Sequence, residues 1–373
     1  MRILYGVVGE GMGHATRSRV VIEHLLSAGH QVRVVVSNRA HTFLTERLGE
    51  RPGLRIDKIA GLHMLYADNR VKKLRSLVSN LEGARSGWIE NLSAYQQHLG
   101  DYHPELVISD FESWSHAYAR RHKVPVISLD NMQILNRCSH SRHASNNKCM
   151  DFRLARLAVK AKLPRCDHYL VTTFFAPPIR KKRTTLVPPI LRPEVLAAKR
   201  EPGEHVLVYQ TADSNSALLP ILQKLDLPFR IYGLNRDEVI GNCTLRAFSE
   251  QGFIDDLRTA RGVIAGGGFS LMGEAVQLQV PMLCVPLEGQ YEQQLNARYL
   301  DSLGYGDFVP ELSEASVVEW LSKLPVYQAA LNGHVPRDNQ MLFDLLDELI
   351  DRVGQGERKI NEVSAPSLTE PAV

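Results

Sequence analysis

The sequence is poor in the features that mark secreted, membrane-spanning or nucleic-acid-binding chains. Its five cysteines among 373 residues fall at spacings that suggest no pairing, which excludes a disulfide framework and suits a reducing cytoplasm. No stretch approaches the ~18 consecutive apolar residues of a membrane span. The opening MRILYGVVGEG is interrupted by Glu10 and reads as a buried strand rather than a secretory leader. Charge is nearly balanced, with 44 Lys and Arg against 41 Asp and Glu for a net charge of +3. That excess is too small to argue for nucleic acid as a partner.

What remains is an ordinary globular balance, 44% hydrophobic and 23% charged, long enough for two domains at the usual ~150 residues each. Short apolar runs alternate with amphipathic segments, the pattern of parallel sheets with crossover helices. RILYGVV, QVRVVVS, ELVISD, VPVISL and HYLVTTF read as strands of one sheet. Prolines then gather in VPPILRPEVLAAKREPGEH, and the pattern restarts with HVLVYQ, FRIYGL, NCTLRAF, GVIAGGG and PMLCVP. The expected fold class is α/β, two doubly wound Rossmann-like domains facing across a cleft. The first covers 1–187. A linker follows at 188–204, then a ligand-binding domain at 205–336, a last helix at 337–353 packing at the junction, and a disordered tail at 354–373. In such sheets ligands sit beyond the carboxyl ends of the strands.

Two glycine turns occupy that position. In VVGEGMGHATRS the glycines Gly9, Gly11 and Gly13 alternate, but where a dinucleotide fingerprint has its third glycine this chain has His14. The missing glycine argues against a Rossmann oxidoreductase. A titratable ring at the mouth of a glycine loop suits general-base chemistry, because its ordinary pKa lies near neutrality. Such a base needs an acceptor on its other nitrogen, and Asp110, closing the strand ELVISD, is placed to supply it. Either residue could instead serve the local fold, His14 as a helix-end ligand and Asp110 as an N-cap. Glu10 is a rival base in the same loop. Arg17 and Arg19 lie in the early turns of the helix that follows, against its dipole. They point to a nearby anion or simply to solvent.

The second turn, Gly266 to Gly268, runs into a helix whose first N–H groups suit a diphosphate. Glu274 then offers two acceptor oxygens for ribose hydroxyls. LEGQYEQQLNARYL gathers Glu292, Gln293 and Asn296 at the start of another helix, where they can hold a polyhydroxylated group.

The block FIDDLRTARGVIAGGGFSLMGEAVQLQVPMLCVPLEGQYEQQLNARYL resembles the nucleotide-sugar-binding half of GT-B glycosyltransferases. It is most similar to the branch holding the peptidoglycan N-acetylglucosaminyltransferase and the UDP-glycosyltransferases. The resemblance implies a sugar moved from a nucleotide-sugar donor, usually a UDP-sugar, to a hydroxyl acceptor with inversion. It implies His14 as base with Asp110 behind it, and Gly11 and Gly13 as the phosphate or acceptor loop. By position, Phe253 and Ile254 match the main chain that pairs with the base edge. Gly267, Gly268 and Phe269 match the phosphate-facing turn, Glu274 the ribose carboxylate, and Glu292 with Gln293 the pair on the donor sugar. VYQTADSNS departs from the Gly/Ser-rich turn of that family, leaving Thr211 and Ser214 as weak phosphate donors.

No D-x-D pair is present to carry a metal-bound diphosphate, so neither a metal nor a cofactor is expected. CSHSRHASNNKC, with Cys138, His140, His143 and Cys149, fits no zinc spacing and reads as an acceptor-side loop. Arg153, Arg156 and Lys160 form a basic helical face near RKKR at Arg180 to Arg183. That face suits either plain solvation or peripheral contact with an anionic membrane, the latter if the acceptor is lipid-linked or a cell-envelope glycan. The expected place is the cytoplasm, with the inner membrane face left open. Two alternatives remain on the same scaffold, a nucleotide-sugar hydrolase or epimerase and a non-catalytic nucleotide-sugar-binding regulator.

Overall fold

The computed structural model describes residues 1–9, 11–59, 66–67, 70–71, 99–141, 144, 150–210 and 218–363. Two seven-stranded sheets organise the chain. In chain order the first contains β1 (Arg2–Val7), β2 (Gln31–Val36), β3 (Leu54–Lys58), β6 (Leu106–Asp110), β7 (Val126–Asp130), β8 (His168–Thr172) and β9 (Thr184–Val187). A two-residue ladder, β4 (Tyr66–Ala67) with β5 (Arg70–Val71), stands apart from it. The spatial order is β3-β2-β1-β6-β7-β8-β9, all parallel. Ile3, Leu4, Tyr5 and Val7 of β1 are all buried, as expected of a strand covered by helices on both faces.

The second sheet holds β10 (Val206–Tyr209), β11 (Phe229–Tyr232), β12 (Glu238–Ile240), β13 (Cys243–Arg246), β14 (Gly262–Ala265), β15 (Met282–Cys284) and β16 (Gly306–Phe308). Its order is β12-β13-β11-β10-β14-β15-β16, parallel except for the edge strand β12. Strand order reverses between β1 and β6 in one sheet and between β10 and β14 in the other. Loops leaving those strands diverge, and the crevices so formed are where open α/β sheets take their ligands. Both glycine turns leave strands at these points.

Six helices bear on the site. They are α1 (Met12–Ser27) after β1, α2 (Asn38–Leu48) after β2, α3 (Ser113–His122) after β6, α5 (Met150–Lys162) before β8, α9 (Phe269–Gln277) after β14 and α10 (Tyr291–Ser302) after β15. Between them in the chain lie α4 (Ile134–Arg137), α6 (Pro193–Ala197), α7 (Leu218–Leu222) and α8 (Glu250–Thr259), followed by α11 (Glu314–Asn332) and α12 (Gln340–Gly354). Leu342, Leu345, Leu346, Leu349, Ile350 and Val353 form the buried stripe of α12, at the spacing of an amphipathic helix. They join one core with Ile3, Val21, Ile22 and Leu25, so the last helix is seated on the first domain. Asn339, just before α12, exchanges two hydrogen bonds with Leu191 of the linker.

The tail corrects one expectation. The Gly354–Val363 stretch is ordered: Ile360 is fully buried, its carbonyl meets His168 Nδ1 at 2.9 Å, and Arg183 N–H donates to the Asn361 carbonyl. Arg352 also binds the Glu357 carboxylate and the Glu362 carbonyl, and Lys359 N–H donates to Asp167, so local partners hold a polar segment that composition marks as disordered. Residues 364–373 of the expected tail lie outside the described residues. Among the described residues, no helix is long and apolar enough to cross a membrane.

Candidate active site

The two sheets approach each other at the glycine turns, which follow the interior strands β1 and β14. Gly11 is the N-cap of α1, and Gly13 and His14 are in its first turn. Ser270, in the first turn of α9, donates to the Gly13 carbonyl at 3.1 Å. A Cβ on Gly13 would stand 2.5 Å from Ser270 Oγ, so only glycine lets the two helix ends come this close. Neither α1 nor α9 has a side-chain cap. Their unpaired N–H groups therefore converge on one crevice.

Asp110 closes β6 beside Val7, the last residue of β1, and points into the same crevice. His14 Nδ1 is 2.8 Å from Asp110 Oδ1. The N-cap role open to Asp110 belongs to Glu112, whose carboxylate accepts from the N–H groups of Trp114 and Ser115. Asp110 is 1% exposed and saturated with donors. Arg17 Nε reaches Oδ2 at 2.8 Å, Arg17 Nη2 reaches Oδ1, and Ser18 Oγ reaches Oδ2 at 3.1 Å. Burial works to raise the Asp110 carboxyl, but Arg17 and His14 outweigh it and hold it well below the usual carboxylate range. Burial and then Arg17 push the His14 imidazole below its ordinary value, against the pull of Asp110. The ring is therefore neutral at neutral pH, as a base requires.

Arg17 and Arg19 do not reach solvent; they are 3% and 7% exposed. Their anions are protein carboxylates, Asp110 for Arg17 and both Glu194 and Glu250 for Arg19. The sequence left Arg17 between an anion and solvent, and Asn131 was missed. Arg17 Nη1 donates to Asn131 Oδ1 at 2.7 Å, and Asn131 Nδ2 donates across the crevice to Glu292 Oε1 at 2.7 Å. Asn296 Nδ2 donates to the same Glu292 oxygen. The unfavourable cation on the first turns of α1 was the available signal for Arg17. Nothing in the sequence marked Asn131.

At the second glycine turn, Gly267 has φ +80°, with the Gln293 carbonyl 3.1 Å from where a Cβ would be, while Gly268 is open. Phe269 is buried, its ring 6.1 Å from Phe174 of the first domain. Gln293 is turned onto its own loop, accepting from Leu287 N–H at 3.0 Å. Burial pushes the Glu292 carboxyl up to about 7. The apolar seam continues beside the site, with Phe175 stacked on Tyr299 at 3.8 Å and His140 bonded to the Tyr299 hydroxyl at 2.9 Å.

Two sets of residues expected to face the nucleotide have partners within the protein. Phe253 and Ile254 lie inside α8, which begins at Glu250 with Ser249 as its N-cap. The Phe253 N–H is committed to the Ser249 carbonyl at 2.8 Å, and both side chains are buried. Glu274 is 5% exposed and held bidentately by Arg192 of the linker, both bonds at 2.7 Å. Its two oxygens, expected to face ribose hydroxyls, face a guanidinium.

Cys138 is buried and forms a bridge with Ile179, and His140 packs as described; His143 and Cys149 lie outside the described residues. So do Glu10, Thr211 and Ser214. Among the described residues, no three His, Cys, Asp or Glu side chains gather as a metal site would.

The comparisons agree with this architecture. The profile of glycosyl transferase family 1 matches residues 1–325. An uncharacterized glycosyltransferase of Methanosarcina acetivorans is 23% identical over 346 residues, 82% of this chain and 85% of that one. L-arabinokinase of Arabidopsis thaliana is 35% identical over 108 residues, 28% of this chain and 10% of the kinase. Among solved structures, the glycotransferase of kitacinnamycin superposes with TM-score 0.66 at 15% identity, covering 93% of this chain and 98% of that one. Phytolacca americana UGT2, complexed with UDP-2fluoro-glucose and pterostilbene, gives 0.63 at 15% identity, covering 95% and 100%. With two parallel-dominated sheets facing across a crevice and a profile match over most of its length, the chain belongs to glycosyl transferase family 1 and is a glycosyltransferase of GT-B fold.

Proposed function

We propose that the enzyme transfers a sugar from a UDP-sugar to an acceptor hydroxyl in one inverting displacement, with His14 as base and without a metal. The observation that carries this reading is the 2.8 Å contact of His14 with Asp110, one residue from the point where α1 and α9 touch. The acceptor O–H gives its proton to His14 Nε2 as its oxygen attacks the anomeric carbon, and the bond from that carbon to the diphosphate breaks. A single displacement from the opposite face inverts the centre. Asp110 accepts from Nδ1–H and stabilises the imidazolium. Negative charge grows on the leaving diphosphate, where the free N–H groups of Gly268, Phe269 and Ser270 can receive it. Glu292, with Asn296 beside it, suits the donor sugar hydroxyls.

Nucleotide screening by thermal shift tests the donor half. UDP should raise the melting temperature, and GDP, TDP and NAD should not. Incubation of UDP-sugars without acceptor tests the chemistry, because release of free sugar to water as fast as transfer would replace this reading with hydrolysis.

A membrane-borne acceptor is supported by α5. Met150, Leu154 and Leu157 are 66%, 54% and 60% exposed and lie along one side of the helix beside Arg153, Arg156 and Lys160. An apolar stripe flanked by cations suits an interface rich in anionic lipid. The protein should sediment with anionic vesicles but not with neutral ones, and Leu154→Asp with Leu157→Asp should abolish this. Equal sedimentation of the double variant would remove the surface from consideration.

A further inference from the structure

We infer that Arg17 is a positioning residue that sets which nitrogen of His14 carries the proton and ties that setting to the sugar-facing side of the crevice through Asn131. The inference rests on the proposed role of His14.

His14 Nδ1 has two neighbours of opposite kind. Asp110 Oδ1, an acceptor, is at 2.8 Å, and Arg17 Nη2, a donor, is at 2.7 Å. Two arrangements of the neutral ring follow. With Nδ1–H donating to Asp110, Nε2 carries a lone pair and can take the acceptor's proton. With Nδ1 accepting from Arg17, the proton sits on Nε2 and the ring cannot act as a base. The choice therefore depends on where the Nη2 hydrogens of Arg17 point.

Asn131 controls that direction. Arg17 has donors only, so the Asn131 atom 2.7 Å from Nη1 must be the amide oxygen. The amide NH₂ then faces Glu292 of the opposite domain at 2.7 Å, and the amide cannot turn over without losing both bonds. This chain, from His14 and Asp110 through Arg17 and Asn131 to Glu292, is complete only when the two domains are together. A sugar hydroxyl that engages Glu292 competes for the oxygen that anchors Asn131, so the state of the donor pocket reaches the base through hydrogen bonds alone.

The charged and titratable groups around the ring come from several elements. Asp110 on β6 and Arg17 on α1 touch it, and Lys162 on α5 acts at longer range. Behind them stand Tyr5 on β1, which interacts with Asp110, and Asp130 on β7 and Glu292 on α10, which interact with Arg17. Burial, Arg17 and Lys162 drive the proton off, while Asp110 draws it back. Removing Arg17 leaves Asp110 as the dominant neighbour, so the ring must bind its proton more tightly.

Nitrogen-edited NMR of the full chain without substrate reads this directly, with the His14 signal assigned by its loss in His14→Gln. In Arg17→Gln the His14 titration midpoint should rise by about one to three pH units, the range over which a neighbouring charge acts. The acid limb of the kcat/KM profile should rise with it. In Asn131→Leu, which leaves Arg17 in place, the ring signals should change their balance between the Nδ1–H and Nε2–H forms. An unmoved midpoint in folded Arg17→Gln overturns the inference. A midpoint that moves while the acid limb stays fixed instead removes His14 as base and leaves the role of Arg17 intact. Should Arg17→Gln not fold, Arg17→Lys carries the test, since an ammonium keeps the charge but cannot span three partners. Its kcat should fall on the order of 10²-fold, as for a base misplaced by about 1 Å, with donor KM near that of the parent. A Lys variant with parental kcat overturns the inference.

Discussion

His14→Ala lowers kcat by on the order of 10²–10⁴-fold, the contribution of a positioned general base, and leaves the unfolding transition nearly unmoved. The kinetic part follows from the crevice geometry. Of the side chains bonded to Asp110, Arg17 stays protonated and Ser18 is only a hydroxyl, which leaves the His14 imidazole as the group able to take a proton. The small stability effect follows from what remains after the ring is gone. Asp110 keeps both bonds from Arg17 and the one from Ser18, so no buried charge is left unpaired. Donor KM should also change little, because the groups suited to nucleotide and sugar lie on the other domain. Steady-state kinetics and a denaturation curve on one preparation check all three. A loss under about tenfold would be too small for general-base catalysis and would move the base to another group, with Glu10 in the same loop next in line.

The sequence made the sheets legible because parallel strands covered on both faces must be nearly continuous apolar runs, as RILYGV and LVISD are. The pairing of His14 with Asp110 was legible from the strand-end place of Asp110 and from the resemblance to UDP-glycosyltransferases, and the switch point sets the two strand ends side by side. Partners chosen by long-range packing stayed hidden. Arg17 and Asn131 meet across 114 residues and Arg192 meets Glu274 across 82, and no local pattern encodes such distances. The helix that carries Phe253 and Ile254 is different, because Ser249 followed by Glu250 is a helix-start signal readable in the sequence. The segment around Ile360 shows the opposite limit, a few specific contacts that hold a stretch whose average composition argues for disorder.

Arg192→Ala should destabilise the enzyme by about 3–5 kcal/mol, the cost of leaving one member of a buried ion pair alone. Both side chains are 7% exposed, and the fork of Arg192 meets both oxygens of Glu274. Without the guanidinium, Glu274 keeps a carboxylate inside the protein with no opposing charge. The loss spreads to Glu250, which Arg192 approaches at 3.4 Å while Arg47 and Arg19 hold its other oxygen. Replacing both partners, Arg192→Leu with Glu274→Met, should restore most of the stability, because the desolvation of two charges disappears with them. Denaturant midpoints of the three proteins check this ordering, and a single variant as stable as the parent would make the pair a surface-like contact. The same pair then separates two roles for Glu274. If the carboxylate also takes the ribose hydroxyls, UDP should stabilise Arg192→Ala more than the parent, since the nucleotide supplies the donors that the missing guanidinium no longer gives. Equal stabilisation of the two proteins would confine Glu274 to fastening the linker against α9 and leave the ribose to other groups.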